Sequence, residues 1–157
     1  MSIAIAFGVR LLLVLLFLPF SALDKLLNFK GAVAQARQAA PAPIAPLLIL
    51  AGLFVEIVMT SAVLLGVADR AAAFVLASYC LITALLWKQF WTPGDFWTDA
   101  NGKARGLFWD FWKNFALAGG FLLITFGVTA NSVDDALAQP FGSTNPYQHV
   151  LRPPGAP

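Results

Sequence analysis

Cysteine and histidine are almost missing from this 157-residue chain, which has one of each, Cys80 and His149. A lone cysteine excludes an intramolecular disulfide, a CxxC redox pair and a cysteine zinc cluster. A lone histidine, here in a polar Pro-rich tail, excludes bis-histidine haem ligation within the chain and a histidine-rich metal site. No metal centre is therefore expected. Charge is scarce too. Only 11% of residues are Asp, Glu, Lys or Arg, against roughly 25% in an ordinary soluble domain. The net charge of +2 is too small and too dispersed for a nucleic-acid-binding face, which needs clustered Lys and Arg. What is abundant is apolar surface: 59% of the residues are hydrophobic, more than one small core can hide. The surplus has to face lipid.

Four apolar stretches, about 2–23, 47–66, 71–90 and 107–130, approach the ~20 residues needed to cross a hydrocarbon core of about 30 Å. They predict an all-α fold, a four-helix transmembrane bundle with short loops, followed by a polar, Pro-rich and irregular tail over 131–157. The first stretch contains Arg10 and Pro19, the latter tolerable in a membrane helix as a local kink. It is too long for a typical secretory signal core and lacks a clear small-residue cleavage site, so it reads as a retained span. Val67 to Arg70 leaves so little chain between helices two and three that they must be antiparallel neighbours. The first connection contains an Ala-rich run, Gly31 to Ala40, before the breaker Pro41-Ala42-Pro43, and reads as an interfacial segment. All five tryptophans, 87, 91, 97, 109 and 112, surround the third connection as an aromatic belt at one membrane face. Lys25, Lys30, Arg37, Lys88, Lys103 and Arg105 share that face, and the positive-inside rule puts it in the cytoplasm with both termini outside.

An ionisable side chain deep in a membrane costs at least ~2.5 to 3.5 kcal/mol on insertion scales, so each needs a partner or a polar cavity. Arg10 and Glu56 are the two that demand explanation. Counting about 1.5 Å per residue from the span ends places them at depths ~5 Å apart, within reach of a guanidinium. They are expected to pair, with Asn114 at similar depth as a third member of one polar node. Helical spacing extends the node into a seam through Ser21 and Lys25 on helix one, Gly52 and Thr60 on helix two, Tyr79, Thr83 and Trp87 on helix three, and Asp110 on helix four. Such a seam suits the head of a lipid-soluble ligand such as a quinone; it equally suits a bundle held together by its own polar groups. Asp110 and Lys113 read first as a helix-start pair at the interface, Lys88 as a snorkelling side chain, and Cys80 as a packing residue.

The pattern resembles the DoxX family of small four-helix membrane proteins over roughly Arg10 to Gly127. Its marks are Arg10-Leu11-Leu12-Leu13, Ser21-Ala22-Leu23-Asp24-Lys25-Leu26, Glu56 followed by Leu64-Leu65-Gly66-Val67, Arg70, and Lys113-Asn114-Phe115-Ala116-Leu117-Ala118-Gly119-Gly120. Family members often have a histidine near the end of helix three, where this chain has Trp87-Lys88-Gln89. The resemblance implies a bacterial or archaeal inner-membrane protein near the quinone pool, beside a catalytic protein partner, without a covalent cofactor. Candidate site residues are then Arg10, Glu56 and Asn114, with Lys25, Tyr79, Thr83, Asp110 and Lys113 in support. The competing expectation is a structural subunit of a larger membrane complex, surrounded by lipid and holding no ligand.

Overall fold

The computed structural model describes residues 3–127 and 129–148, the side chains of 130 and 131 excepted; His149 and the Pro153, Pro154 end of the tail lie outside them. The described residues form an all-helical bundle. The first span combines α1 (Ile3–Val14), a wide turn at Leu16–Ser21 and α2 (Ala22–Leu27). Pro19 has no N–H to donate and crowds the preceding turn, and Leu18 accordingly leaves the helix at φ −123°, ψ 115°. After this kink the chain recovers helical geometry and continues one turn past the predicted end at 23, which brings Lys25 into the span. A short helix α3 (Phe29–Ala36) then lies in the first connection, within the run read as interfacial.

The second span is α4 (Ala45–Phe54), a π-helical turn at Val55–Met59 and α5 (Thr60–Leu65). Gly66 ends it in the left-handed conformation, φ 72°, where a side chain would be strained. Three residues on, α6 (Asp69–Trp87) runs back antiparallel, as the short connection requires. Its buried face is Ala73, Leu76, Ala77, Cys80 and Ala84, a run of mostly small residues at helical spacing. That smoothness lets α7 (Lys103–Phe126) pack closely along its length, as membrane helices do when no aqueous hydrophobic effect drives them together. Val14, Phe17, Val63 and Phe121 fill the centre between the four helices.

Among the described residues three helices, Ile3–Leu27, Ala45–Leu65 and Asp69–Trp87, are long and apolar enough to cross a membrane. The fourth, α7, has the length at 24 residues, but Lys103, Arg105, Asp110 and Lys113 occupy its first half and only the part from Phe115 onward is continuously apolar. Outward-facing Leu12, Leu47 and Leu65 are 75%, 64% and 66% exposed, which is ruinous in water and natural in lipid. The tail starts with α8 (Ala130–Ala138), capped by the Thr129 hydroxyl accepting from the Ser132 amide at 3.3 Å. Its irregular run begins only after α8.

Candidate functional site

Two polar nodes lie inside the bundle, and the expected pairing of Arg10 with Glu56 is not made. Arg10 reaches Asp69 at 2.7 Å, donates to the Val63 carbonyl at 2.5 Å and donates to the Thr144 hydroxyl at 2.7 Å. The reason is depth. The first span has 25 residues, about 37 Å if straight, against a core of about 30 Å, so counting from its first residue places Arg10 too deep. Its level is the turn between the second and third spans. Asp69, fully buried in the first turn of α6, offers a carboxylate where the helix dipole favours one. The tail completes this node: Thr144 donates to Asp69 through its amide at 2.8 Å and its hydroxyl at 2.5 Å, Ser143 donates to the Gly66 carbonyl at 2.5 Å, and Tyr147 donates to the Leu64 carbonyl.

Glu56 sits in the second node, 1% exposed and within the π turn of the second span. Extra residues in a helical turn of this kind redirect side chains and recur at functional sites. One carboxylate oxygen, Oε1, is saturated: it accepts from Lys25 Nζ at 2.6 Å, Ser21 Oγ at 2.9 Å and the Tyr79 hydroxyl at 2.9 Å. Lys25 is also 2.6 Å from Ser21 Oγ. The other oxygen, Oε2, is buried with no hydrogen-bond partner among the described residues. Tyr79 can approach because position 52 is glycine; a Cβ there would stand 3.1 Å from its hydroxyl.

Glu56 borders a half-open cavity of about 630 Å³. Its wall brings together Lys25, Glu56, Tyr79, Thr83, Asp110, Lys113 and Asn114, all singled out from the sequence, and omits Arg10. Asn114 does not bond either charged partner; its amide donates to the Asp110 carbonyl at 2.8 Å, one turn back on its own helix. Asp110 pairs with Lys88 at 3.1 Å and Lys113 at 3.7 Å, so Lys88 is an ion-pair partner as well as a long stem at the interface. Thr83 spends its hydroxyl proton on carbonyls of its own helix, Tyr79 at 2.8 Å and Cys80 at 3.0 Å. Trp87, another residue of this wall, has a buried Nε1 with no hydrogen-bond partner among the described residues. Leu16, Phe17, Leu48, Ile49 and Leu117 supply the wall's apolar part.

Asp69, Ser143, Thr144 and Tyr147, all in the Arg10 node, are polar residues that sequence reasoning passed over. Asp69 was counted as loop, although an acidic residue opening a span after a four-residue turn is a usable sign. Thr144 carries no local signal, since its partner is 75 positions away. No group of three or more His, Cys, Asp or Glu suited to a metal ion occurs among the described residues.

A multi-pass helical membrane bundle with a carboxylate and a lysine paired in its interior is the class of protein these features define. The chain belongs to the DoxX family, whose model matches residues 5–89. That segment holds Arg10, Ser21, Lys25, Glu56, Asp69, Tyr79 and Thr83, and so most of both nodes. The chain is also 32% identical over 127 residues to the Inner membrane protein YphA of Escherichia coli (strain K12), covering 80% of this chain and 84% of that protein. No solved structure matches it significantly. It is an inner-membrane protein.

Proposed function

We propose that this chain is an accessory or anchor subunit of a quinone-linked redox system, and that its Glu56 cavity receives the head of a lipid-soluble quinol or quinone. The observation that carries the reading is the free oxygen of Glu56. A buried carboxylate oxygen without a donor costs on the order of 1 to 3 kcal/mol or more, and a ligand hydroxyl placed at Oε2 removes that cost. Lys25, Ser21 and Tyr79 meanwhile hold the carboxylate by its other oxygen, which leaves Oε2 for a ligand to meet. Charge on the wall argues for a neutral ligand: Asp24, Glu56 and Asp110 stand against Lys25, Lys88 and Lys113. The volume lies in the range of small-molecule sites, about 300 to 1,000 Å³. Trp87 Nε1 supplies a donor for a ligand oxygen elsewhere on the wall, so the reduced form, which can donate to Glu56, should bind better than the oxidised form. Composition assigns the electron-transfer chemistry to a partner, since one cysteine and one histidine give little from which to build a redox centre.

Titrating the purified protein in lipid nanodiscs with a decyl-substituted benzoquinol, followed by tryptophan quenching, tests the site. Saturable binding is expected, weakened about tenfold or more in Glu56→Gln because a hydrogen bond to a charged group contributes about 1.5 to 3 kcal/mol. Undiminished binding in a folded Glu56→Gln protein would leave the Lys25–Glu56 pair as structure alone. The subunit half is tested by gentle detergent purification with mass spectrometry. A stoichiometric quinone-dependent oxidoreductase supports it, and a chain that purifies alone from its native membrane contradicts it.

A further inference from the structure

The first connection contains a second concavity, on the far side of α3 from the Glu56 cavity. Asn28, Gly31, Ala32 and Gln35 face the large cavity. Phe29, Lys30, Val33, Ala34 and Arg37 line a separate groove of about 260 Å³, closed by Pro46 from the start of α4. Lys30 and Arg37 are seven residues, two helical turns, apart, so they flank the groove from one side of the helix. Both are exposed. The four ion pairs among the described residues use Arg10, Lys25, Lys88 and Lys113, which leaves the cations at 30 and 37 uncompensated.

Topology sets the level of this groove. Ile3–Leu27 and Ala45–Leu65 are each long and apolar enough to cross a membrane, and a chain that leaves one span to enter the next stays on one face, which puts α3 between them at headgroup level. Val33 and Ala36 pack against Trp87 at the end of the third span, an indole where membrane proteins carry interfacial anchors. The Lys and Arg excess on this face assigns it to the cytoplasmic leaflet, whose surface is negative. An amphipathic helix with two free cations beside an apolar trough, held at headgroup depth, matches an anion carrying acyl chains.

We propose that this groove is a binding site for an anionic phospholipid, with its phosphate between the Lys30 ammonium and the Arg37 guanidinium and its upper acyl carbons along Phe29, Val33 and Pro46. Arg37 can take two phosphate oxygens at once, and Lys30 acts as a point charge. Binding here is independent of what occupies the Glu56 cavity on the other side of α3.

Native mass spectrometry of the full chain with phosphatidylglycerol or phosphatidylcholine added to the detergent tests the site. Wild type should retain phosphatidylglycerol in preference to phosphatidylcholine. The Lys30→Gln/Arg37→Gln protein should lose affinity about 30-fold, since each cation near the surface contributes roughly fivefold. Lys30→Arg/Arg37→Lys, which keeps both charges, should retain most of it. Lys103→Gln/Arg105→Gln removes the same charge from the same face and should bind as wild type. Equal retention of the two lipids by wild type, or equal losses in both neutralised proteins, overturns the proposal in favour of diffuse attraction. Displacement of the lipid by inorganic phosphate at matching concentration overturns it in favour of a phosphate-only site.

Discussion

Removing Lys25 should be far more damaging than its place near the membrane surface suggests. Lys25→Met keeps the stem and deletes the charge, which leaves the Glu56 carboxylate inside the bundle with only neutral donors. Breaking a buried pair from one side costs about 3 to 5 kcal/mol. The lower end applies here, because the Lys25 side chain is 18% exposed against 2% for Glu56 and Ser21 and Tyr79 still donate. Glu56→Gln should cost less, about 1 to 2 kcal/mol, because the stranded lysine can swing its ammonium toward water. The double variant buries no unpaired charge, so its cost should fall short of the two single costs combined by about 2 kcal/mol. Cys80 is a built-in reporter, being the chain's one cysteine and 0% exposed. Maleimide reaches it only through opening of the bundle, and when reclosing outruns labelling the rate follows the open population. A loss of about 3 kcal/mol then speeds labelling roughly 150-fold in Lys25→Met. Labelling within about threefold of wild type, or strictly additive single effects, would refute the reasoning.

The remaining predictions concern neighbouring contacts. Gly52→Ala places a methyl 3.1 Å from the Tyr79 hydroxyl, so it should displace that donor and weaken quinol binding several-fold, whereas Gly119→Ala, which meets nothing within 4 Å, should bind as wild type in the same titration. Thr144→Val deletes the hydroxyl that joins Arg10 and Asp69 and should cost about 1 to 3 kcal/mol locally. Limited proteolysis should then cut between residues 139 and 148 at least several-fold faster, with Cys80 protection little changed. Arg10→Leu, which strands a fully buried Asp69, should speed both that cleavage and Cys80 labelling.

The helical bundle was legible because lipid imposes a length on every span, and the apolar runs at about 2–23, 47–66, 71–90 and 107–130 fit a spanning helix rather than the roughly 9 to 11 residues of a spanning strand. Glu56 was legible too, since an acid in the middle of an apolar run must do something. Its partner was not. Depth counted along straight helices pointed to Arg10, but Pro19 kinks the first span and a further turn to Leu27 lowers Lys25 to the level of Glu56. Pro19 marks where the kink falls but not how far it turns the chain, and the π turn at Val55–Met59 has no dependable sequence mark; each changes which face a residue presents. Ser21, Lys25, Tyr79 and Thr83 lie on one cavity wall with Glu56, an arrangement that follows spacing within each helix rather than depth between helices. Thr144 was invisible for a different reason: a polar tail folding back over the bundle depends on contacts that no local pattern encodes.

The most direct test of the Glu56 cavity is a structure of the chain in nanodiscs with the decyl-substituted benzoquinol bound. The ring should lie among Phe17, Ile49 and Leu117, with one hydroxyl oxygen within about 3 Å of Glu56 Oε2 and Lys25 still on Oε1. Density for the ligand outside the bundle, with Oε2 met only by water or by an acyl chain packed against it, would contradict the assignment.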